Sequence, residues 1–302
     1  MLSPQHLEYL FQGLNEIWPL DKLAECSFEA NPATFGTVKA QLMRDLGINR
    51  VSLGIQSFDD QILKTLGREH QRHQAIQAVE TLQEVGIPQV NIDLMFSIPG
   101  QSLGSWQDTL ETAISLNPNH ISAYNLTYEE DTAFFESLKK GDYQLDQDKD
   151  AEHYEYAKQR LKEAGFEQYE TSNYAKNKAY SIHNQAYWFG NDYIGLGPSA
   201  VSTIQQQRHE NVADTAQYME RIRKLSNAIQ QSEPITAEAH LIERVALELR
   251  TKRGLEEQHA QKLNQEVLRQ YLSNHTLQKN EGYLRINPER NAFVDHIVSE
   301  LL

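Results

Sequence analysis

Residues 73–100 read HQAIQAVETLQEVGIPQVNIDLMFSIPG, and a change of period inside this stretch decides the fold class. Ile76, Val79, Leu82 and Val85 fall three residues apart, which is the apolar stripe of an amphipathic helix. Gly86 suits the position after a helix end, and Pro88 prevents the helix from continuing. From Gln89 the chain becomes a short apolar run bounded by Gly and Pro, as a buried strand does.

The same design extends in both directions. AECSFEANP (24–32) and NRVSLGIQSF (49–58) read as earlier strands, and HISAYNLTYEE (120–130) as a later one. Between the third and fourth strands, Ser102 can cap a helix whose buried stripe is Leu103, Trp106, Leu110, Ala113 and Ile114, and Pro118 ends it. Strands alternating with helices predict an α/β fold with parallel strands joined by right-handed crossovers, either an open sheet or a barrel. In both, chemistry gathers at the carboxyl ends of the strands. Glu29, Gln56, Arg68 and Asp93 are polar residues expected at that end, and four together point to a polar ligand where one alone would be a loop cap or surface charge.

After a helix over residues 147–165 the pattern becomes aromatic and irregular, which predicts short strands and turns. Residues 205–232 are polar and read as a connecting helix or linker. From Glu233 onward the order helix, helix, hairpin, helix is that of a small winged-helix-like domain.

Composition narrows the function classes. The 302 residues carry a formal net charge of -14, which repels phosphate backbones, and RTKRG (250–254) reads as a solvated helix end, so no nucleic acid is expected. No apolar run approaches the length of a membrane span, and MLSPQHLEYLFQGLNEIWPL lacks the pattern of a secretory signal, so cytoplasmic residence is expected. Cys26 is the single cysteine, which excludes an internal disulfide and any site built from several thiolates of this chain.

Together ECSFEANP, RVSLGIQSFDDQILKTLGREH, NIDLMFSIPGQ and HISAYNLTYEEDT resemble consecutive barrel-strand motifs of the radical S-adenosylmethionine (radical SAM) proteins related to oxygen-independent coproporphyrinogen III oxidase. HNQAYW (183–188) and RGL (253–255) resemble, more narrowly, a branch of haem chaperones. The resemblance implies a partial (β/α) barrel over residues 1–165, a haem-motif region over 166–204, the connection 205–232 and a C-terminal domain over 233–302. It implies that Glu29 bonds the ribose hydroxyls of S-adenosylmethionine, that Gln56, Arg68 and Asp93 contact its polar groups, and that Thr127 lies near the adenine. It also implies haem held by His183 as an iron ligand, with Tyr187 and Trp188 against the porphyrin.

One family feature is missing. The CxxxCxxC loop that holds a 4Fe-4S cluster and the GGGTP segment do not occur, and the chain starts at a point that matches the sequence just beyond GGGTP. The first strand, its helix and the second strand are therefore expected to be absent, through a late start codon, a fragment or a true truncation. Radical cleavage is not expected from these residues alone. Two functions remain: a haem chaperone serving apo-haemoproteins, S-adenosylmethionine-binding in its full-length form, or a radical enzyme decarboxylating coproporphyrinogen III. An inactive fragment is the third reading. Homodimerisation and peripheral contact with membrane haemoproteins complete the partners under consideration.

Overall fold

A computed structural model describes residues 2–128, 130, 133–141 and 146–302. The end of the fourth strand motif, at 129, 131 and 132, lies outside the described residues. Two compact units divide the chain, residues 1–183 and 184–302.

The first unit runs α1 (Pro4–Ile17), β1 (Ser27–Ala30), α2 (Thr37–Asp45), β2 (Arg50–Gln56), α3 (Asp60–Thr65), α4 (Arg72–Glu84), β3 (Gln89–Phe96), α5 (Leu103–Ser115) and β4 (His120–Asn125). It continues with α6 (Ala133–Lys140), α7 (Gln147–Glu163), β5 (Glu167–Gln168) and β6 (Asn173–Ala175). One sheet takes the order β1-β2-β3-β4-β6-β5, with β1 to β4 parallel and the last two strands antiparallel. This is the expected α/β architecture. Gln71 and Gln74 form a capping box at the start of α4, and Gly86 takes φ +82 after its end. Ser102 caps α5 by accepting from Ser105 N.

Alternation along the strands separates two faces. Val51, Leu53 and Ile55 of β2, with Val90, Ile92, Leu94 and Phe96 of β3, are buried in the apolar core shared with α4 and α5. Trp106 of α5 is fully buried, its ring centroid is 5.5 Å from that of Phe96, and its indole N–H donates to His153 O of α7 at 3.0 Å. One buried aromatic thus ties β3, α5 and α7 together.

The aromatic stretch holds the expected short strands, β5 and β6 among them, and also a helix the sequence reading did not include, α8 (Ile182–Trp188). The second unit continues with β7 (Val201–Ile204), β8 (Gln207–Asn211), α9 (Thr215–Leu225) and β9 (Ile229–Pro234). Residues 205–232, read from sequence as a connecting helix or linker, therefore hold most of an antiparallel sheet, β7-β8-β9, and a helix. Their strands are mostly exposed, so backbone pairing and not an apolar pattern defines them. The chain ends with α10 (Ala237–Glu248), β10 (Leu255–Glu256), α11 (Glu257–Ala260), α12 (Gln265–Ser273), β11 (Leu277–Asn280), β12 (Tyr283–Ile286) and α13 (Val294–Leu301). Val245, Leu255, Leu268, Leu284 and Leu301 form its core.

Candidate functional site

The face of the sheet opposite the apolar core is polar. Strand register sets Glu29, Ser52, Asn91 and His120 side by side, and Gly54, Asp93 and Ser122 in the next row. Ser52 Oγ donates to Asp93 Oδ2 at 2.7 Å, and Asn91 Nδ2 donates to Asp93 Oδ1 at 2.7 Å. His120 Nδ1 meets Asn91 Oδ1 at 2.6 Å, and its Nε2 meets the Tyr169 hydroxyl at 2.8 Å. An imidazole bonded at both nitrogens and buried stays neutral, and burial holds its pKa well below the usual value. Asp93 is shifted upward, by burial above all and in part by the charge of Glu29, against the hydrogen bonds that favour the carboxylate.

Three of the expected S-adenosylmethionine residues converge at the carboxyl end of β2. Gln56 ends that strand with φ +69, and Arg68 Nη1, on the loop after α3, donates to Asn31 Oδ1 at 3.1 Å. Gly54 lies between them and Asp93: a Cβ there would stand 3.4 Å from both Asn31 Oδ1 and Gln56 Nε2. Glu29 joins the group through its charge on Asp93 and is itself exposed. Thr127 is exposed two residues beyond β4, and no bond joins it to the other four among the described residues. A carboxylate, an amide, a guanidinium and a second acid around a glycine fit a ligand with a sugar diol and an amino-acid head.

The iron-sulfur cluster does not fit these residues. Cys26 is the single cysteine, no group of three metal-ligating side chains occurs among the described residues, and burial, then Glu25, pushes the Cys26 thiol upward. A cluster ligand needs the opposite shift, toward thiolate.

The haem-motif helix is fastened at the other end of the strands. Glu25, two residues before β1, accepts from His183 N through Oε1 and from Ile182 N through Oε2, each at 2.9 Å. Its carboxylate is 3.9 Å from Arg50 Nη1, at the start of β2, and both side chains are buried. Arg50 also donates to Gln89 Oε1 at 2.5 Å and to Ala179 O at 3.2 Å. His183 is exposed in the first turn of α8, Tyr187 follows one turn later, and Trp188 is half-buried. Within the first unit, His183 and the S-adenosylmethionine candidates are thus at opposite ends of the strands. Replacing Glu25 by Gln should loosen the first turn of α8 and weaken haem binding about tenfold, measured by titration, since the single amide oxygen accepts from only one of the two N–H groups and the ion pair with Arg50 is lost.

Sequence reading passed over Glu25, Asn91, His120 and Tyr169. A signal existed for two of them: Asn91/Asp93 and His120/Ser122 repeat polar residues at period two, which marks a polar sheet face. Glu25 and Tyr169 carried none.

With this geometry, comparison with known proteins defines the class first. Residues 3–113 match the radical SAM superfamily. The coproporphyrinogen III oxidase HemN from Escherichia coli superposes with a TM-score of 0.82 over 99% of this chain and 74% of its own, at 20% identity, a likeness of fold. The heme chaperone HemW of Bacillus subtilis (strain 168) is 33% identical over 256 residues, 84% of this chain and 68% of that protein. HemW of Escherichia coli (strain K12) is 40% identical over 203 residues, 66% of this chain and 52% of that protein. The mitochondrial radical S-adenosyl methionine domain-containing protein 1 of Danio rerio is 37% identical over 66% of this chain and 45% of its own length. The chain is a radical SAM protein, and it belongs to the HemW family.

Proposed function

We propose that this chain binds haem through α8 and acts as a haem chaperone that hands haem to apo-haemoproteins. The observation that carries the reading is His183, exposed in the first turn of a helix that Glu25 anchors with two backbone bonds, with Tyr187 one turn further on. A neutral imidazole is a common axial ligand of haem iron, and the aromatic rings offer faces to a porphyrin. The relatives named as heme chaperones support the same reading. Haem titration of the chain and of its His183→Ala variant tests it.

S-adenosylmethionine binding falls, in this proposal, to Glu29, Gln56, Arg68 and Asp93, with Thr127 beside the adenine. When bound, that cofactor is a source of a 5'-deoxyadenosyl group; these residues orient it and keep its polar head bonded. Replacing Glu29 by Ala should weaken S-adenosylmethionine binding by about 1.5 kcal/mol, the lower end of the range for a charge-assisted bond because Glu29 is exposed. Calorimetry showing equal affinity would remove Glu29 from the site. Decarboxylation of coproporphyrinogen III is the alternative, and the relatives named as heme chaperones favour the first reading. No described helix is long and apolar enough to cross a membrane.

A further inference from the structure

We propose that His120 and Tyr169 are positioning residues that couple the S-adenosylmethionine residues to the start of α8, through a hydrogen-bond chain that runs one way from the Ser181 N–H to the Asp93 carboxylate. The inference rests on the haem-chaperone reading and gives it a regulator, because S-adenosylmethionine then tightens haem binding at His183. Every member of the chain lies within the first unit.

The direction follows from which atoms can donate. Asn91 Nδ2 donates to Asp93 Oδ1 at 2.7 Å, since the opposite orientation of the amide would set its oxygen against a carboxylate. Asn91 Oδ1 therefore faces His120 Nδ1, at 2.6 Å, and that nitrogen carries the proton. A neutral imidazole has one N–H, so Nε2 is the acceptor and the Tyr169 hydroxyl donates to it at 2.8 Å. The Tyr169 oxygen in turn accepts from Ser181 N at 3.2 Å. Asn91, His120 and Tyr169 are 4%, 1% and 3% exposed, so solvent does not stand in for a missing member. Ser181, Ile182 and His183 are consecutive, and all three N–H groups are held by side chains, the first by Tyr169 and the other two by Glu25.

A second arrangement belongs to protonated Asp93, which burial and the charge of Glu29 favour. The acid then donates to the Asn91 oxygen, the amide turns over, its nitrogen donates to His120 Nδ1, and the imidazole proton sits on Nε2, where it donates to the Tyr169 oxygen. This leaves the Tyr169 O–H without an acceptor, because its partners among the described residues are His120 and the Ser181 N–H, which is a donor. A buried hydroxyl in that position turns away, and Ser181 N is released. S-adenosylmethionine carries a positive sulfur and hydrogen-bond donors, so it holds Asp93 as the carboxylate and selects the arrangement that fastens the first turn of α8.

The test titrates haemin into the whole chain with and without saturating S-adenosylmethionine, for the wild type and for Tyr169→Phe. Haemin should bind the wild type about fivefold tighter in the presence of S-adenosylmethionine, and the reciprocal titration should return the same factor. Tyr169→Phe should still bind each ligand but show a factor of about one, a change in coupling that a loss of packing alone does not produce. Nitrogen-15 spectra of histidine-labelled wild type give a second readout. His120, assigned by the signals lost in His120→Gln, should be protonated at Nδ1 in the S-adenosylmethionine complex. Should Tyr169→Phe fail to fold by circular dichroism, the wild-type factor and this tautomer still decide the question. A wild-type factor of one, an unchanged factor in Tyr169→Phe, or protonation at Nε2 in the complex would overturn the coupling and leave the chaperone reading standing. Saturable haemin binding without S-adenosylmethionine binding would overturn the coupling together with the assignment of Glu29, Gln56, Arg68 and Asp93. Absence of saturable haemin binding by the wild type would overturn the coupling and the chaperone reading together.

Discussion

Glutamine in place of Glu170 should raise the stability of the protein by roughly 3 kcal/mol at about pH 8.5, an advantage that shrinks toward zero as the pH is lowered to 4.5. Glu170 lies in the turn between β5 and β6 and is 3% exposed. Its Oε2 accepts from Ser172 N at 3.2 Å, and its Oε1 has no partner among the described residues. Burial raises its pKa from 4.5 to about 7, against the hydrogen bonds from Ser172 and Asn173. The sign follows from proton binding. Below pH 4.5 both folded and unfolded chains hold the proton, and Glu170 contributes no pH dependence. Between 4.5 and about 7 the unfolded chain has released it and the folded chain has not, so stability falls as pH rises, and the fall is complete above about 7. Glutamine mimics the protonated acid, and its amide offers a donor to Asn173 Oδ1, which also has no partner among the described residues. Urea unfolding of both proteins across this range is the measurement. Parallel curves for wild type and Glu170→Gln would mean that Glu170 is ionised in the folded state at neutral pH.

Removal of the imidazole by His183→Ala should weaken haem binding by about a hundredfold and move the Soret band, because iron loses its axial nitrogen while the aromatic contacts remain. The exposure of His183 makes this a clean experiment: truncation leaves no cavity in a core, so a change in affinity reports ligation and not unfolding. Circular dichroism should be identical for the two proteins. A variant with the wild-type spectrum and affinity would exclude His183 as the ligand and with it the proposed role of α8. Comparison with Glu25→Gln separates ligation from positioning, since that variant keeps the imidazole and should keep the position of the Soret band while lowering affinity.

The residues that carried the fold reading were local ones. Ile76, Val79 and Leu82 packed as a helix face between strands, Ser102 capped the next helix, and the order of strands and helices defined a parallel α/β sheet. Helix periods and caps involve residues three or four apart, and so they are written in sequence. The polar strands of residues 207–234 were missed because their bonds run to each other across a turn and a helix, and no apolar alternation betrays them. The helix at HNQAYW escaped for a related reason. Its first two N–H groups find their acceptor in Glu25, more than a hundred and fifty residues earlier.

By itself the sequence determined the α/β class and the identity of the chemically able residues it contains, from Cys26, Glu29 and Asp93 to His183. Tertiary structure alone decided which of them meet. Strand register made one polar face of Ser52, Asn91, Asp93 and His120, which the Tyr169 hydroxyl joins through His120, and it placed Gly54 where Gln56, Asn31 and Asp93 approach. It also tied His183 to Glu25 and buried Glu170. The physical reason is that hydrogen bonding and desolvation depend on neighbours in space, and a parallel sheet assembles those neighbours from strands separated by whole helices.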